Sequence, residues 1–144
     1  MMAKLLTTEN SRPTVAVAAI IRRGTDEMLM IQRKSAPSSG QWAFPGGKVQ
    51  WHEDLVDAVA REVFEECGIE VMVGSLLYVA QIRGLGFHYI ILDFAAEWVS
   101  GQIAPRSDAD ECQWMTLDRA LTVCLADGMQ PCLESSAVRE YLNG

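Results

Sequence analysis

Basic residues are scarce in this sequence and histidines number only two, which limits the partners that the chain can bind. Twelve lysines and arginines stand against nineteen aspartates and glutamates, giving a net charge of −7 over 144 residues. Such a charge repels a nucleic-acid backbone and an anionic membrane surface. We therefore expect neither polymeric nucleic acid nor a membrane as a partner. A small anionic ligand stays compatible if a divalent cation lies between it and the protein.

Long apolar runs and paired cysteine motifs are also missing. No stretch approaches the roughly 18 apolar residues of a membrane span, and residues 1–13 lack the apolar core of a signal peptide. The four cysteines form no C-x-x-C pair and no zinc-type spacing with the histidines; they are Cys67, Cys112, Cys124 and Cys132. We expect a cytoplasmic protein with reduced thiols.

The remaining composition is that of an ordinary globular protein. Apolar residues make up 49% of the chain and charged residues 22%, which excludes a disordered or fibrous class. A chain of 144 residues suits one domain with a sizeable core. We predict a flexible N-terminal segment over residues 1–13 and a single domain over residues 14–144.

Apolar runs and turn residues predict the element order β-β-β-α-β-β-α-(α). Runs rich in β-branched residues, separated by glycine, proline and serine, indicate strands. The predicted elements are a hairpin of 15–21 and 28–32, an extended piece at 41–44, strands at 69–82 and 87–99, a polar loop at 101–111, and helices at 54–67, 116–126 and, more weakly, 133–142. A tight turn is expected at Pro45-Gly46-Gly47, where glycine would adopt a positive φ.

The helix at 54–67 has one apolar stripe and one acidic face. At 100° per residue an apolar stripe forms along one side, made of Val56, Val59, Ala60, Val63 and Cys67. Gly68 is the expected C-terminal stop.

Three glutamates of this helix, Glu62, Glu65 and Glu66, project on neighbouring positions beside the stripe. Like charges so close destabilise a helix unless a cation binds there, and oxygen ligands of this kind suit Mg²⁺ or Mn²⁺. Arg61 is positioned to hold a carboxylate by a bidentate pair. The alternative is a solvated acidic face in which Arg61 pairs with Asp57.

The spacing around this helix is that of a known signature. Gly47 is followed after five residues by Glu53 and after seven more by Arg61, where the chain continues REVFEECGI to Ile69. The pattern resembles the Nudix hydrolase signature at every specified position. Two further segments extend the resemblance over about residues 14–126. One is WAFPGGK at 42–48, and the other is SDADECQW at 107–114, which resembles bacterial ADP-ribose pyrophosphatase-like proteins.

One departure concerns the loop before the motif glutamate. Where the family often has a small residue followed by Pro-Gly, this chain has Trp51-His52. We expect an effect on loop shape, with ligand contacts as a further place of influence, and none on metal chemistry.

The resemblance implies a fold, a reaction and a metal. The fold would be α/β, an α/β/α sandwich with a mixed sheet. The reaction would be hydrolysis of a nucleoside diphosphate linked to another group, with Mg²⁺ as cofactor and Mn²⁺ as a substitute. By resemblance the metal ligands are Glu62, Glu65 and Glu66, with the carbonyl of Gly46 as an addition, while Glu53 and Arg61 support the loop and the carboxylates.

The general base and the substrate contacts are less constrained. The base in this family lies either on the motif helix or in a later loop, so the candidates are Glu65, Asp108 and Glu111. Candidate substrate contacts are Lys48 after the glycines, Arg33 at a strand end, and Arg83, His88 and Tyr89 around a predicted loop. The two loop acids and the strand residues have a structural alternative as ordinary surface or strand side chains.

ADP-ribose or a related ADP-sugar is the first substrate expectation. A (deoxy)nucleoside triphosphate pyrophosphatase that clears oxidised or surplus nucleotides is the alternative within enzymes. A ligand sensor with the same fold and no turnover is the alternative outside them, although all motif glutamates are present. The sequence does not determine the oligomeric state, and a homodimer is one alternative.

Overall fold

The computed structural model describes residues 12–36 and 38–144, so the predicted flexible segment 1–13 lies almost wholly outside the described residues. This part of the chain contains seven strands and four helices. The strands are β1 (Thr14–Arg23), β2 (Glu27–Arg33), β3 (Trp42–Ala43), β4 (Gly46–Lys48), β5 (Glu70–Gly84), β6 (Phe87–Ser100) and β7 (Ala109–Met115). The helices are α1 (Leu55–Cys67), α2 (Leu117–Ala120), α3 (Met129–Glu134) and α4 (Ser136–Asn143). None of these helices is long and apolar enough to span a membrane.

The strands form one mixed sheet. Its central order is β3-β2-β1-β6-β5, with β4 paired to β1 and β7 paired to β2. Strands β1 and β6 run parallel, whereas the other pairs are antiparallel. The predicted hairpin of β1 and β2 and the predicted mixed sheet are confirmed.

Helices cover both faces of the sheet, as expected for an α/β/α sandwich. Alternate residues of a strand point to opposite faces, and in β1 both faces are buried. Val17, Ala19 and Ile21 pack with the apolar side of α1. Ala18 and Ile20 pack in a second core cluster with the residues of α3 and α4. A strand covered on both faces reads as a continuous apolar run, which is the pattern of β1.

Helix α1 begins one residue later than predicted and ends at the predicted residue. Asp54 precedes it in an extended conformation, and Gly68 ends it with φ 74°. The buried stripe is shifted slightly from the prediction. Val56 is 49% exposed, whereas Ala58 is fully buried against the sheet.

The Gly46-Gly47 segment is not the positive-φ turn that was predicted. It opens the short strand β4, which pairs with β1 at Ala18 and Val17, and neither glycine is among those with positive φ. Glycine is required here by close approach instead. A Cβ at Gly46 would overlap the carbonyl oxygen of Val17 and lie 2.7 Å from the Cα of Ala18. A Cβ at Gly47 would lie 2.5 Å from the carboxyl carbon of Glu62.

Three predictions for the C-terminal third are wrong. The loop predicted at 101–111 ends early, because strand β7 begins at Ala109 and pairs with β2. The helix predicted at 116–126 stops after α2, since the chain at Cys124 and Ala126 hydrogen-bonds to the backbone of Trp42 at 2.8 and 2.9 Å. The last predicted helix, 133–142, is two helices separated at Ser135, whose backbone is extended.

Replacing Gly46 with alanine should lower the free energy of unfolding by roughly 1–3 kcal/mol, because the added methyl group meets backbone atoms of β1 that cannot move aside. Chemical denaturation measures the change. Gly74→Ala in β5 is the matched control, since its Cβ would lie no closer than 3.5 Å to its neighbours. Equal stabilities of the two variants would show that the contact at Gly46 is relaxed in solution.

Candidate active site

The acidic face of α1 lies at the edge of the helix that borders β4. Val59, Val63 and Cys67 are fully buried under the helix and orient it on the sheet. This orientation leaves Glu66 only 2% exposed. The side chain of Glu62 is 16% exposed and that of Glu65 44%. The three carboxylates therefore extend from the interior to solvent along one side of the helix.

Arg61 connects these carboxylates to the loop before the helix. Its guanidinium donates to both oxygens of Glu53, at 2.7 and 2.9 Å, in the bidentate geometry that was predicted. It also donates to Glu62 at 2.7 Å, to Glu65 at 3.0 Å and to the carbonyl of Lys48 at 3.0 Å. The alternative pairing with Asp57 is wrong, since all these bonds go to other groups.

Glu53 is strongly stabilised in its ionised form. The hydrogen bonds from Arg61, with a further bond from the backbone N–H of Gln50 at 3.0 Å, lower the pKa of Glu53 to about 2. These bonds tie the loop ahead of the helix to Arg61. Within this loop His52 adopts φ 66°, a conformation that glycine adopts more readily than a residue with a side chain.

Glu66 has the opposite electrostatic environment. Burial raises its pKa to about 8, and the charges of Glu62 and Asp108 contribute to the rise. One backbone donor opposes it, because the N–H of Gly46 bonds to Glu66 at 2.8 Å. A carboxyl group that is buried beside other acids, with no cationic side chain bonded to it, is the kind of group that a divalent cation stabilises.

A cavity of about 330 Å³ opens beside these glutamates, a volume suited to a small ligand. Its charged end contains six side chains, Arg33, Lys48, Glu62, Glu65, Glu66 and Asp108. Its other end is mainly apolar, and the loop at 126–129 contributes one wall. A ligand with a charged part and an apolar ring system fits this division.

Asp108 and Arg33 form the side of the charged end that lies across from α1. They are ion-paired at 2.9 Å, with each side chain about one-quarter to one-third exposed, at 26% for Arg33 and 31% for Asp108. The preceding residue, Ser107, adopts φ 54°, an uncommon conformation for a residue with a side chain. The pair brings a strand end and the loop before β7 to the cavity.

The floor of the apolar end is the face of the sheet itself. Ala16 and Ala18 of β1 lie beside Ile91 and Asp93 of β6, and Ala80 of β5 pairs with Ile91. Small side chains at three of these positions leave space above the sheet. Tyr89 also lines this end, next to Ile82 in the β5–β6 pair.

The structure brings together most but not all of the predicted site residues. Gly46, Lys48, Arg33, Tyr89, Asp108 and the three glutamates line the cavity. Arg83, His88 and Glu111 do not line it. His88 points to the other face of β6 from Tyr89, and its buried Nε2 has no partner among the described residues. Glu111 is exposed on β7 and contacts Gln113.

Sequence reasoning missed Asp93. This aspartate is 4% exposed and lines the cavity, although its strand reads as a plain apolar run. Burial raises the pKa of Asp93 to about 7, opposed only by a hydrogen bond from the thiol of Cys132. The single charged residue within a run of seven otherwise uncharged ones, 90–96, was the available signal.

The donors at the charged end fit a hard divalent cation by their chemistry, being carboxylate oxygens beside a backbone segment. Among residues 12–36 and 38–144 no three acidic, histidine or cysteine side chains converge on one point for an ion. Arg61 bonds to Glu62 and Glu65, and the N–H of Gly46 bonds to Glu66.

Comparison with known proteins gives consistent matches. Residues 12–135 match the NUDIX domain model. An ADP-ribose pyrophosphatase of Methanocaldococcus jannaschii is 36% identical over 108 residues, covering 74% of this chain and 63% of that protein. An 8-oxo-dGDP phosphatase of Danio rerio is 32% identical over 95 residues, covering 66% of this chain and 28% of that protein. The chain thus spans less than two thirds of either relative.

Among solved structures, a MutT NUDIX hydrolase from Burkholderia pseudomallei has the same fold. The TM-score is 0.79 at 33% identity, and the match covers 88% of this chain and 99% of that one.

The buried carboxyl of Asp93 should make stability depend on pH. Because its pKa is raised from about 3.8 to about 7 in the folded state, the stabilisation of the protonated form is complete below pH 4 and is lost as the pH rises to 7. The loss is at most roughly 4 kcal/mol. Asp93→Asn should remove this slope, so that the variant gains stability over the natural protein between pH 4 and 8. Denaturant titrations at a series of pH values measure the difference, in which other titrating groups cancel. Parallel curves would contradict the assignment.

Proposed function

Since the chain belongs to the Nudix family of pyrophosphohydrolases, we propose that its substrate is a nucleoside diphosphate derivative, ADP-ribose or a related ADP-sugar. The observation that carries this is the divided cavity, with acids and two cations at one end and an apolar floor at the other. A compact nucleotide would place its pyrophosphate at the charged end and its ring system on the apolar floor. The pyrophosphatase named for Methanocaldococcus jannaschii supports the same choice.

Glu62, Glu65 and Glu66 would hold Mg²⁺ or Mn²⁺, with the carbonyl of Gly46 as an additional ligand. The bound cation would neutralise the pyrophosphate, which this acidic protein otherwise repels, and lower the pKa of a coordinated water. Arg61 is a positioning residue in this proposal. Its bonds to Glu53 and to the carbonyl of Lys48 fix the helix relative to the loop that carries the glycines.

Lys48 and Arg33 are the proposed contacts of the phosphate groups. Both line the charged end of the cavity, and they approach it from different strands. Hydrolysis joins a water oxygen to one phosphorus and breaks the bridging bond to the other phosphate. From ADP-ribose it releases AMP and ribose 5-phosphate.

Asp108 is the proposed general base. It faces the cavity across from α1, and its ion pair with Arg33 uses only one carboxylate oxygen, Oδ2. Its other oxygen is available to accept the proton of the attacking water. Glu65 also lines the cavity, but the proposal assigns its carboxylate to the cation. Glu111, exposed outside the cavity, is no longer a candidate.

A second candidate function is hydrolysis of an oxidised or surplus nucleoside di- or triphosphate. The relatives that favour it are the 8-oxo-dGDP phosphatase of Danio rerio and the MutT protein of Burkholderia pseudomallei. The signature helix is common to both functions, so the apolar end of the cavity decides between them.

The proposed substrate is tested by kcat/KM for ADP-ribose, other ADP-sugars, dinucleoside polyphosphates, and normal and oxidised nucleoside di- and triphosphates. We expect ADP-ribose or an ADP-sugar to be best, activity to vanish in chelator, and Mg²⁺ or Mn²⁺ to restore it. A tenfold preference for another nucleotide, equal to about 1.4 kcal/mol in transition-state binding, would replace the substrate assignment. Full turnover without metal would contradict the role of the glutamates.

Asp108→Asn should lower kcat by on the order of 10²-fold or more with little change in KM, because it removes the proton acceptor and leaves the cavity shape. Glu111→Gln is the matched control, three residues away and exposed, and should keep the natural rate. Steady-state kinetics at saturating Mg²⁺ measure both. If Asp108→Asn is as active as the control, the base is on α1 and Glu65 becomes its best candidate.

A further inference from the structure

The apolar end of the cavity contains one buried carboxyl group that the proposed hydrolysis does not use. Asp93 lies in the middle of β6, directly beside Ala18 of β1. Ala18 is in turn paired with Gly46 of β4. Asp93 is therefore two strands away from the glycine that bonds to Glu66. The distance across two strand spacings is about 10 Å, comparable to the length of a nucleoside.

The surroundings of Asp93 do not explain why an acid is buried there. Its Oδ2 accepts a hydrogen bond from the thiol of Cys132 at 3.5 Å, and a thiol is a weak donor. In the part of the chain that the structure describes, no cationic side chain bonds to Asp93 and Oδ1 has no hydrogen-bond partner. Asp93 lines the cavity, so a ligand there is within reach of its carboxyl group. A buried carboxyl with so little compensation costs free energy of folding.

The space above the sheet beside Asp93 suits a flat ring. Ala16, Ala18 and Ala80 give the floor little height, and Phe44 and Met129 line the same cavity. These side chains offer apolar contact and no hydrogen bond to the edge of a ring. Asp93 is the buried polar group of this floor, whereas Tyr89 and the exposed Asp127 lie elsewhere on the lining. A few well-placed polar groups in an apolar pocket set ligand orientation and specificity.

We propose that Asp93 reads the nucleobase, with Oδ1 accepting a hydrogen bond from the exocyclic amino group of adenine. This rests on the proposed function, which places an adenine nucleotide in the cavity. An acceptor at this position favours a base that presents an amino group there. It disfavours one that presents a carbonyl oxygen, because two acceptors would face each other.

The contact is measured with AMP, the expected product, and IMP, in which a carbonyl oxygen replaces the amino group. Dissociation constants are determined by calorimetry in Mg²⁺ buffer at pH 8.5, where the carboxyl of Asp93 is ionised and only accepts. The natural protein should bind AMP at least tenfold more tightly than IMP. Asp93→Leu removes the acceptor and adds some side-chain volume, and it should reduce that ratio to less than threefold. Its KM for ADP-ribose should rise while kcat changes little.

Glu97→Leu is the matched control, because Glu97 is an acid on the same strand that pairs with Arg22 outside the cavity. It should keep the tenfold preference. Equal binding of AMP and IMP by the natural protein would overturn the proposal without any variant, and so would an unchanged preference in a folded Asp93→Leu protein. Hydrolysis of ADP-ribose with no preference for AMP would refute the contact and leave the function standing. A preference for AMP in a protein that does not hydrolyse ADP-ribose would support the contact and refute the proposed substrate.

Discussion

The structure depends on how like charges are held together on one face of α1. Glu62, Glu65 and Glu66 repel one another, and each like-charge pair costs a few tenths of a kcal/mol on a helix. Arg61 offsets this repulsion and bonds at the same time to Glu53 and to the carbonyl of Lys48. One side chain therefore joins the acidic face to the loop and to β4. The geometry of the charged end of the cavity follows from these bonds.

Close packing supplies the second constraint. Strand β4 lies against β1 on one side and against the carboxyl group of Glu62 on the other. A side chain at 46 would meet the backbone of β1, and one at 47 would displace the Glu62 carboxyl group. This approach brings the backbone N–H of Gly46 to the buried carboxyl of Glu66. The pKa values of two nearby carboxyl groups shift in opposite directions, downward at Glu53 in the loop before α1 and upward at Glu66 on α1. The causes differ, because hydrogen bonds from Arg61 lower the pKa of Glu53, whereas burial raises the pKa of Glu66.

The cavity joins the two sides of the sandwich. Its charged end is built by α1 and β4, whereas its floor is the sheet face that also packs against α3 and α4. The packed helices and the cavity therefore share the same sheet face. The small side chains of alanines 16, 18 and 80 leave space for the cavity, whereas larger side chains fill the corresponding space elsewhere in the core. The loop at 126–129 reaches the cavity because residues 124–126 bond to Trp42 instead of continuing a helix.

Local sequence determined the elements that neighbouring residues alone can specify. The β1–β2 hairpin, the 3.6-residue period of α1, its stop at Gly68 and the spacing of the acidic motif were all readable, because propensity and periodicity act over neighbouring residues. Tertiary structure decided the remainder. Strand β7 is polar on its exposed positions and forms because β2 offers it an edge, and helix α2 is short because the backbone of Trp42 binds the residues after it. Alternate residues of β6 face opposite sides of the sheet, so Tyr89 lies at the cavity and His88 does not. Asp93 lines the cavity because β6 pairs with strands that are distant in sequence. The physical reason is that burial and close approach depend on neighbours brought together by the fold, which no local pattern encodes.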